Sequence, residues 1–182
     1  MRASNSPYLA LSAASGELGM KALVQRVLRA QVTVEGQIVG KIGPGLLVFL
    51  GVGKADTIAE ADYLVDKITG LRVFTGSDSK MNASLSDIGG GLLVVSQFTL
   101  FGDTRKGRRP SFDRAAPPGL ARELYEYFLV KIRERGFDVN AGQFQAHMQV
   151  ELLNDGPVTL LCESPVEWSR HKIPVKDSAT RL

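Results

Sequence analysis

The chain has 182 residues, 44% hydrophobic and 23% charged, which is an ordinary soluble composition and long enough for one domain with its own core. A single cysteine, Cys162, excludes an internal disulfide framework and fits a reducing, cytoplasmic setting, and the longest apolar runs, Leu46 to Leu50 and Leu92 to Val95, are too short to cross a membrane as a helix. A net charge of +3 with a pI of about 9.1 permits nucleic-acid binding without demanding it, so the placement of the charge matters more than its sum.

Residues 1–19 are rich in Ser and Ala and show no period. Their weak apolar stretch, Leu9 to Ala14, follows one Arg and falls short of a secretory signal, so a flexible extension ahead of Met20 is expected. Ala22 to Val27 and Ala30 to Val34 predict strands, and Glu35-Gly36 a turn. Gln37 to Ile42 and Leu46 to Val52 follow, split by Gly43-Pro44-Gly45, as in an antiparallel run.

A helix is expected next. Thr57 and Glu60 have the spacing of a capping box, Ile58, Ala61, Leu64, Val65 and Ile68 form a stripe, and Gly70 ends it. Leu71 to Phe74 and Leu92 to Ser96 predict strands. A second helix runs from about Pro118 to Arg135, with Leu120, Leu124, Tyr127, Phe128 and Ile132 as its stripe and Gly136 after it. Met148 to Leu153 and Val158 to Glu163 predict two last strands, joined by the turn signal Asn154-Asp155-Gly156-Pro157. Residues 165–182 form a polar, basic tail in which Pro165 and Pro174 discourage regular structure. The class is α/β: a single domain over 20–164 with a mixed, largely antiparallel sheet and two main helices.

Familiar catalytic sets are missing. A Ser-His-Asp or Cys-His site needs a histidine base, and the chain has only His147 and His171, the first of which reads as structural at a strand start. No cluster has metal-ligand spacing, so no metal is expected, and no glycine-rich phosphate or dinucleotide motif points to a cofactor. Two segments stand out instead. Ser96-Gln97-Phe98-Thr99-Leu100 packs hydroxyls, an amide and an aromatic ring at a strand end. Asn154-Asp155-Gly156-Pro157-Val158-Thr159 lies between two apolar strands. Alone, the first is a strand with alternating faces and the second a hairpin corner.

Together and in this order they closely resemble the two signature motifs of the D-aminoacyl-tRNA deacylases of bacterial-eukaryotic type. Further matching segments are Gln25-Arg26-Val27, Gly51-Val52-Gly53, Leu71-Arg72-Val73-Phe74, Lys80-Met81-Asn82 and the run from Asp103 to Phe112. The resemblance covers roughly Met20 to Ser164, nearly the whole predicted core. Gln145 and His147 depart from it, standing where Gly and Asp are expected in a G-x-F-G-A-D-M stretch that ends at Met148.

The resemblance implies a β-barrel-like core and a working unit of two chains. It implies a cis Gly156-Pro157 bond that reaches into the partner chain's site, and an aminoacylated tRNA as substrate. Catalysis would centre on Ser96, Gln97, Phe98 and Thr99, with Arg26, Asn154, Val158, Thr159 and Met148 in support. Phe98 would flank the terminal adenine.

Two routes to ester hydrolysis stay open: attack by Thr99, which lacks a visible base, or water activated by the neighbouring ribose hydroxyl. Backbone at Gly156-Pro157 would form a wall against L side chains, with Arg26, otherwise a surface cation, binding its carbonyls. Such a wall would pass glycine. Arg105, Lys106, Arg108 and Arg109 form the densest cationic cluster in the chain and suit tRNA phosphates. A non-enzymatic RNA-binding domain and a Ser/Thr hydrolase of small esters are the rival readings.

Overall fold

A computed structural model describes residues 19–165; the predicted extension (but for Gly19) and the tail beyond Pro165 lie outside the described residues. Eight strands and two α-helices follow one another: β1 (Lys21–Val34), β2 (Gln37–Ile42), β3 (Gly45–Gly51), α1 (Ile58–Thr69), β4 (Phe74–Thr75), β5 (Met81–Ala83), β6 (Gly91–Ser96), α2 (Pro118–Glu134), β7 (Val139–Ala141) and β8 (Gln149–Glu163). A 3₁₀ turn, Phe98–Phe101, follows β6.

The main sheet has the order β2-β1-β3-β6-β7, with β8 also paired to β1. β1 is antiparallel to β2, β3 and β8, while β3, β6 and β7 run parallel. The sheet curls towards closure between β2 and β7. A Cβ built on Gly40 of β2 would lie 2.6 Å from the Ala141 carbonyl oxygen of β7, so only glycine lets the two backbones approach. The expected mixed, barrel-like sheet with two helices is therefore present.

The central strands are apolar on both faces because both faces are covered. Leu46, Val48, Leu50, Leu92 and Val94 pack under α1 and α2 with Leu64, Ile68, Leu124, Phe128 and Ile132. The alternate residues Leu47, Leu93 and Val95 point into the barrel and meet Val27, Ala30, Val32 and Ile42. α1 carries the predicted capping box: the Thr57 hydroxyl accepts from Ala59 N–H, and Glu60 accepts from Thr57 N–H at 2.7 Å. Ile58, read as part of the stripe, is exposed instead. On α2 the buried set includes Tyr125, which the stripe omitted; its hydroxyl donates to the Val94 carbonyl at 2.9 Å. Burial pushes its ionisation up to about 12, so it remains a neutral donor.

Three expectations are corrected. The two strands predicted over 22–34 are one continuous strand of 14 residues. The strand predicted at Leu71 to Phe74 is reduced to Phe74–Thr75. Asn154 to Pro157 is not a hairpin corner, because β8 runs through it for 15 residues and pairs with β1 on both sides. Gln25 faces Thr159 and Val27 faces Asn154, so residues 155–158 bulge out opposite Arg26 alone. The turn signal was real, but the long partner strand turned it into a bulge. Among the described residues, no helix is long and apolar enough to cross a membrane.

Candidate active site

Strand β6 ends at Ser96 beside Leu50 of its parallel neighbour β3. The chain then tightens into the 3₁₀ turn. Gln97 N–H donates to the Leu50 carbonyl at 2.8 Å, so this donor is committed to the sheet. The open donors lie one step on. The turn's first internal bond is Leu100 N–H to the Gln97 carbonyl at 3.3 Å, so the N–H groups of Phe98 and Thr99 precede it without a partner in the turn.

A cavity of about 660 Å³ opens at this strand end. Ser96, Gln97 and Phe98 line it, opposite Phe144, His147 and Met148. Phe112 meets Phe98 edge-on, with ring centres 5.0 Å apart. Phe98 is 55% exposed, a large apolar ring held open towards solvent. Thr99 does not line the cavity; its hydroxyl accepts from the Gln97 side-chain amide. Among the described lining residues, His147 is the only ionisable side chain. It is exposed and its side chain has no hydrogen-bond partner among the described residues, which does not fit the structural role expected of it at a strand start. Gln145, the other departure, takes a positive φ of 64°, the conformation for which glycine was expected there. Phe112, Phe144 and His147 were missed as site residues. Phe112 stood inside a matching run, and His147 was visible only as an irregularity.

The bulge in β8 is a separate, well-braced structure. Its Gly156-Pro157 bond is cis. Arg26 is buried beneath it. Its guanidinium donates to the carbonyls of Asp155 (3.2 Å), Gly156 (3.5 Å) and Val73, and pairs with the Asp155 carboxylate at 2.8 Å. Asn154 donates to the Arg26 carbonyl at 2.8 Å and to that of Val158 at 3.2 Å. Val158 is buried below, and Thr159 accepts from Gln25 at 3.2 Å. A Cβ built on Gly156 would meet nothing nearer than the Asn154 side chain at 3.9 Å, so this chain's own packing gives no reason for glycine there. No residue of 154–159 lines the cavity. Within one chain the two motifs do not meet.

The basic loop is pinched at its base, where Asp103 and Ser111 exchange backbone bonds of 2.7 and 3.0 Å. Arg105 folds onto the Asp103 carboxylate at 2.9 Å, and this contact holds Asp103 far below the usual carboxylate range. The four cations are thus one paired and three open. Lys106, Arg108 and Arg109 are exposed and have no carboxylate partner among the described residues. The loop leads directly into Phe112 at the cavity rim.

Comparison with known proteins gives a consistent picture. The sequence profile described as D-Tyr-tRNA(Tyr) deacylase matches residues 23–163. A D-aminoacyl-tRNA deacylase of Koribacter versatilis is 59% identical over 149 residues, covering 82% of this chain and all of that protein. One from Heliobacterium modesticaldum is 60% identical over 144 residues, 79% of this chain and 96% of that protein. The solved structure of the c-Myc DNA Unwinding Element Binding Protein superposes with a TM-score of 0.75 at 43% identity, over 80% of this chain and 99% of that one. With both motifs in place and identity near 60% across nearly the whole length of such relatives, this chain belongs to the D-aminoacyl-tRNA deacylase family.

Proposed function

We propose that the protein hydrolyses the ester of D-aminoacyl-tRNA, releasing amino acid and tRNA, and that its working unit is a homodimer in the cytoplasm. The observation that carries this reading is the cavity at the end of β6. It has aromatic walls suited to an unstacked adenosine and two open backbone donors beside it. Water adds to the ester carbonyl carbon, the oxyanion is met by the N–H groups of Phe98 and Thr99, and the ribose oxygen leaves with a proton. The adjacent ribose hydroxyl assists the water. Ser96 and His147 share the cavity, but no hydrogen bond joins them and no carboxylate orients the imidazole among the described residues. The geometry therefore favours RNA assistance over the serine-hydrolase reading.

The missing wall comes from the partner. Among the described residues strand β8 pairs only with β1, which leaves its other edge open there. Leu152, Leu153, Leu160 and Leu161 flank the bulge and are 37–56% exposed. An open edge with apolar side chains on either side of the bulge suits a second copy. Gly156, free of steric demand at home, would then keep its Cβ out of the partner's cavity. Arg26 and Asn154 would hold the wall rigid, and Lys106, Arg108 and Arg109 would take tRNA phosphates.

The test is deacylation of D-tyrosyl-tRNA beside L-tyrosyl-tRNA. Hydrolysis of the D ester with the L ester intact is expected; cleavage of neither overturns the reading. A wall that acts by exclusion has nothing to exclude in glycine. Gly-tRNA should therefore be cleaved like D-Ala-tRNA, and L-Ala-tRNA should survive. Attractive recognition of one methyl is worth only about 1–3 kcal/mol, and a clash with braced backbone can exceed that. Resistance of Gly-tRNA beside cleavage of D-Ala-tRNA would mean that the enzyme grips the D side chain.

A further inference from the structure

The cavity at the end of β6 has a neighbour. Ala146 and His147 also line a second cavity, of about 390 Å³, whose other walls are residues 33–36 at the β1–β2 turn, Gln143 and Gln149. Sharing two wall residues makes the cavities adjoining, with His147 at the divide. Their characters differ. The first is walled by rings and a thioether. The second presents Thr33, Glu35, Gln143 and Gln149, and none of these side chains has a hydrogen-bond partner among the described residues.

The substrate must continue beyond its terminal adenosine, through a phosphate, to the nucleotide on its 5′ side. Every tRNA has the same cytidine there. A cytosine offers an exocyclic amine that a carboxylate accepts, and acceptors that an amide can donate to. Glu35 and the two glutamines supply that set. An imidazole offers an N–H to a phosphate oxygen whether neutral or charged. We propose that the second cavity is a subsite for the penultimate nucleotide of the acceptor end, and that His147 is a positioning residue that donates to the linking phosphate. The inference rests on the deacylase reading, since it takes the first cavity as the seat of the terminal adenosine.

The experiment compares kcat/KM for the D-tyrosyl ester of adenosine with that of the dinucleotide cytidylyl-adenosine. A gain of about tenfold on the dinucleotide is expected, the worth of a hydrogen bond to a charged group. His147→Ala and Gln149→Ala should pull the ratio towards one, while His147→Asn, which keeps an N–H donor, should retain most of it. A wild-type ratio near one, or a ratio unmoved by H147A, overturns the subsite. So does a ratio that falls only when Arg108 and Arg109 are replaced, because the strand then leaves past Phe112. A loss of several orders of magnitude on both esters in H147A would make His147 a general base, and the positioning role would fail. If neither ester nor D-tyrosyl-tRNA is hydrolysed, the deacylase reading falls and takes the subsite with it.

Discussion

Single side chains separate the two chemical routes. Thr99 keeps its hydroxyl on the Gln97 amide and outside the cavity lining, with no base beside it. Thr99→Ala should therefore keep deacylation within about tenfold of the parent, because an unactivated hydroxyl contributes little as a nucleophile. A drop of several orders of magnitude in a folded variant would restore Thr99 as the attacking group. Asp56 offers a test of stability instead. It is buried and accepts from Gly53 N–H at 2.6 Å. Burial, opposed by that bond and reinforced by Glu60, pushes its carboxyl up to about 6 from 3.8. The folded state thus holds the proton more tightly than the unfolded chain. The stability this gives is present below pH 3.8 and is lost as the pH rises through about 6. The Tm of the parent minus that of Asp56→Asn should fall across that window. A difference independent of pH would mean that Asp56 titrates alike in both states.

Elements decide what was legible in the sequence. α1 could be read because its signals are local: a cap, a stripe and a stop within fourteen residues, 57–70. The two arms of β8 could be read, at Met148 to Leu153 and Val158 to Glu163, but their junction could not, because Asn-Asp-Gly-Pro carries the same turn signal whether the chain reverses or bulges. Only the 14-residue partner strand β1 decides between them, and that contact is not local in sequence. Arg26 shows the same limit: its burial depends on the bulge above it and on Val73, 47 residues away. The motif at Ser96 to Thr99 was visible through resemblance, but the cavity opposite it is built by Phe112, Phe144 and His147 from distant loops. The basic loop was legible as charge and illegible as pairing, since Asp103 neutralises Arg105 by folding back on it. With three open cations left, Arg108→Ala/Arg109→Ala should raise KM for D-aminoacyl-tRNA with little change in kcat. It should also lower the slope of log(kcat/KM) against log salt by about 1–2, as fewer counterions are released. Replacing Arg105 should do less. An unchanged slope in the double variant would leave the loop merely solvated.

At the scale of the whole molecule, one chain keeps the cavity at Ser96 to Phe98 and the Gly156-Pro157 bulge apart, since no residue of 154–159 lines that cavity. If two copies complete each other, each site needs Ser96 to Phe98 from one and Gly156 from its partner. Gly156→Trp should leave its own chain folded, because a Cβ there makes only an ordinary van der Waals contact, 3.9 Å from the Asn154 side chain. In a dimer its ring would fill the partner's cavity, and the homodimer should be inactive. Gln97→Ala/Phe98→Ala should be inactive for the opposite reason, with open walls facing a ruined cavity. Mixed by unfolding and refolding together, half the dimers should be heterodimers by random pairing. Each of those holds one intact site: the cavity of the tryptophan chain facing the native Gly156 of its partner. Activity should recover to about a quarter of the parent's, because one site in two is restored in half the molecules. A chain that completed its site from its own residues would recover nothing on mixing. If Gly156→Trp is folded, monomeric and fully active, the bulge has no part in any site.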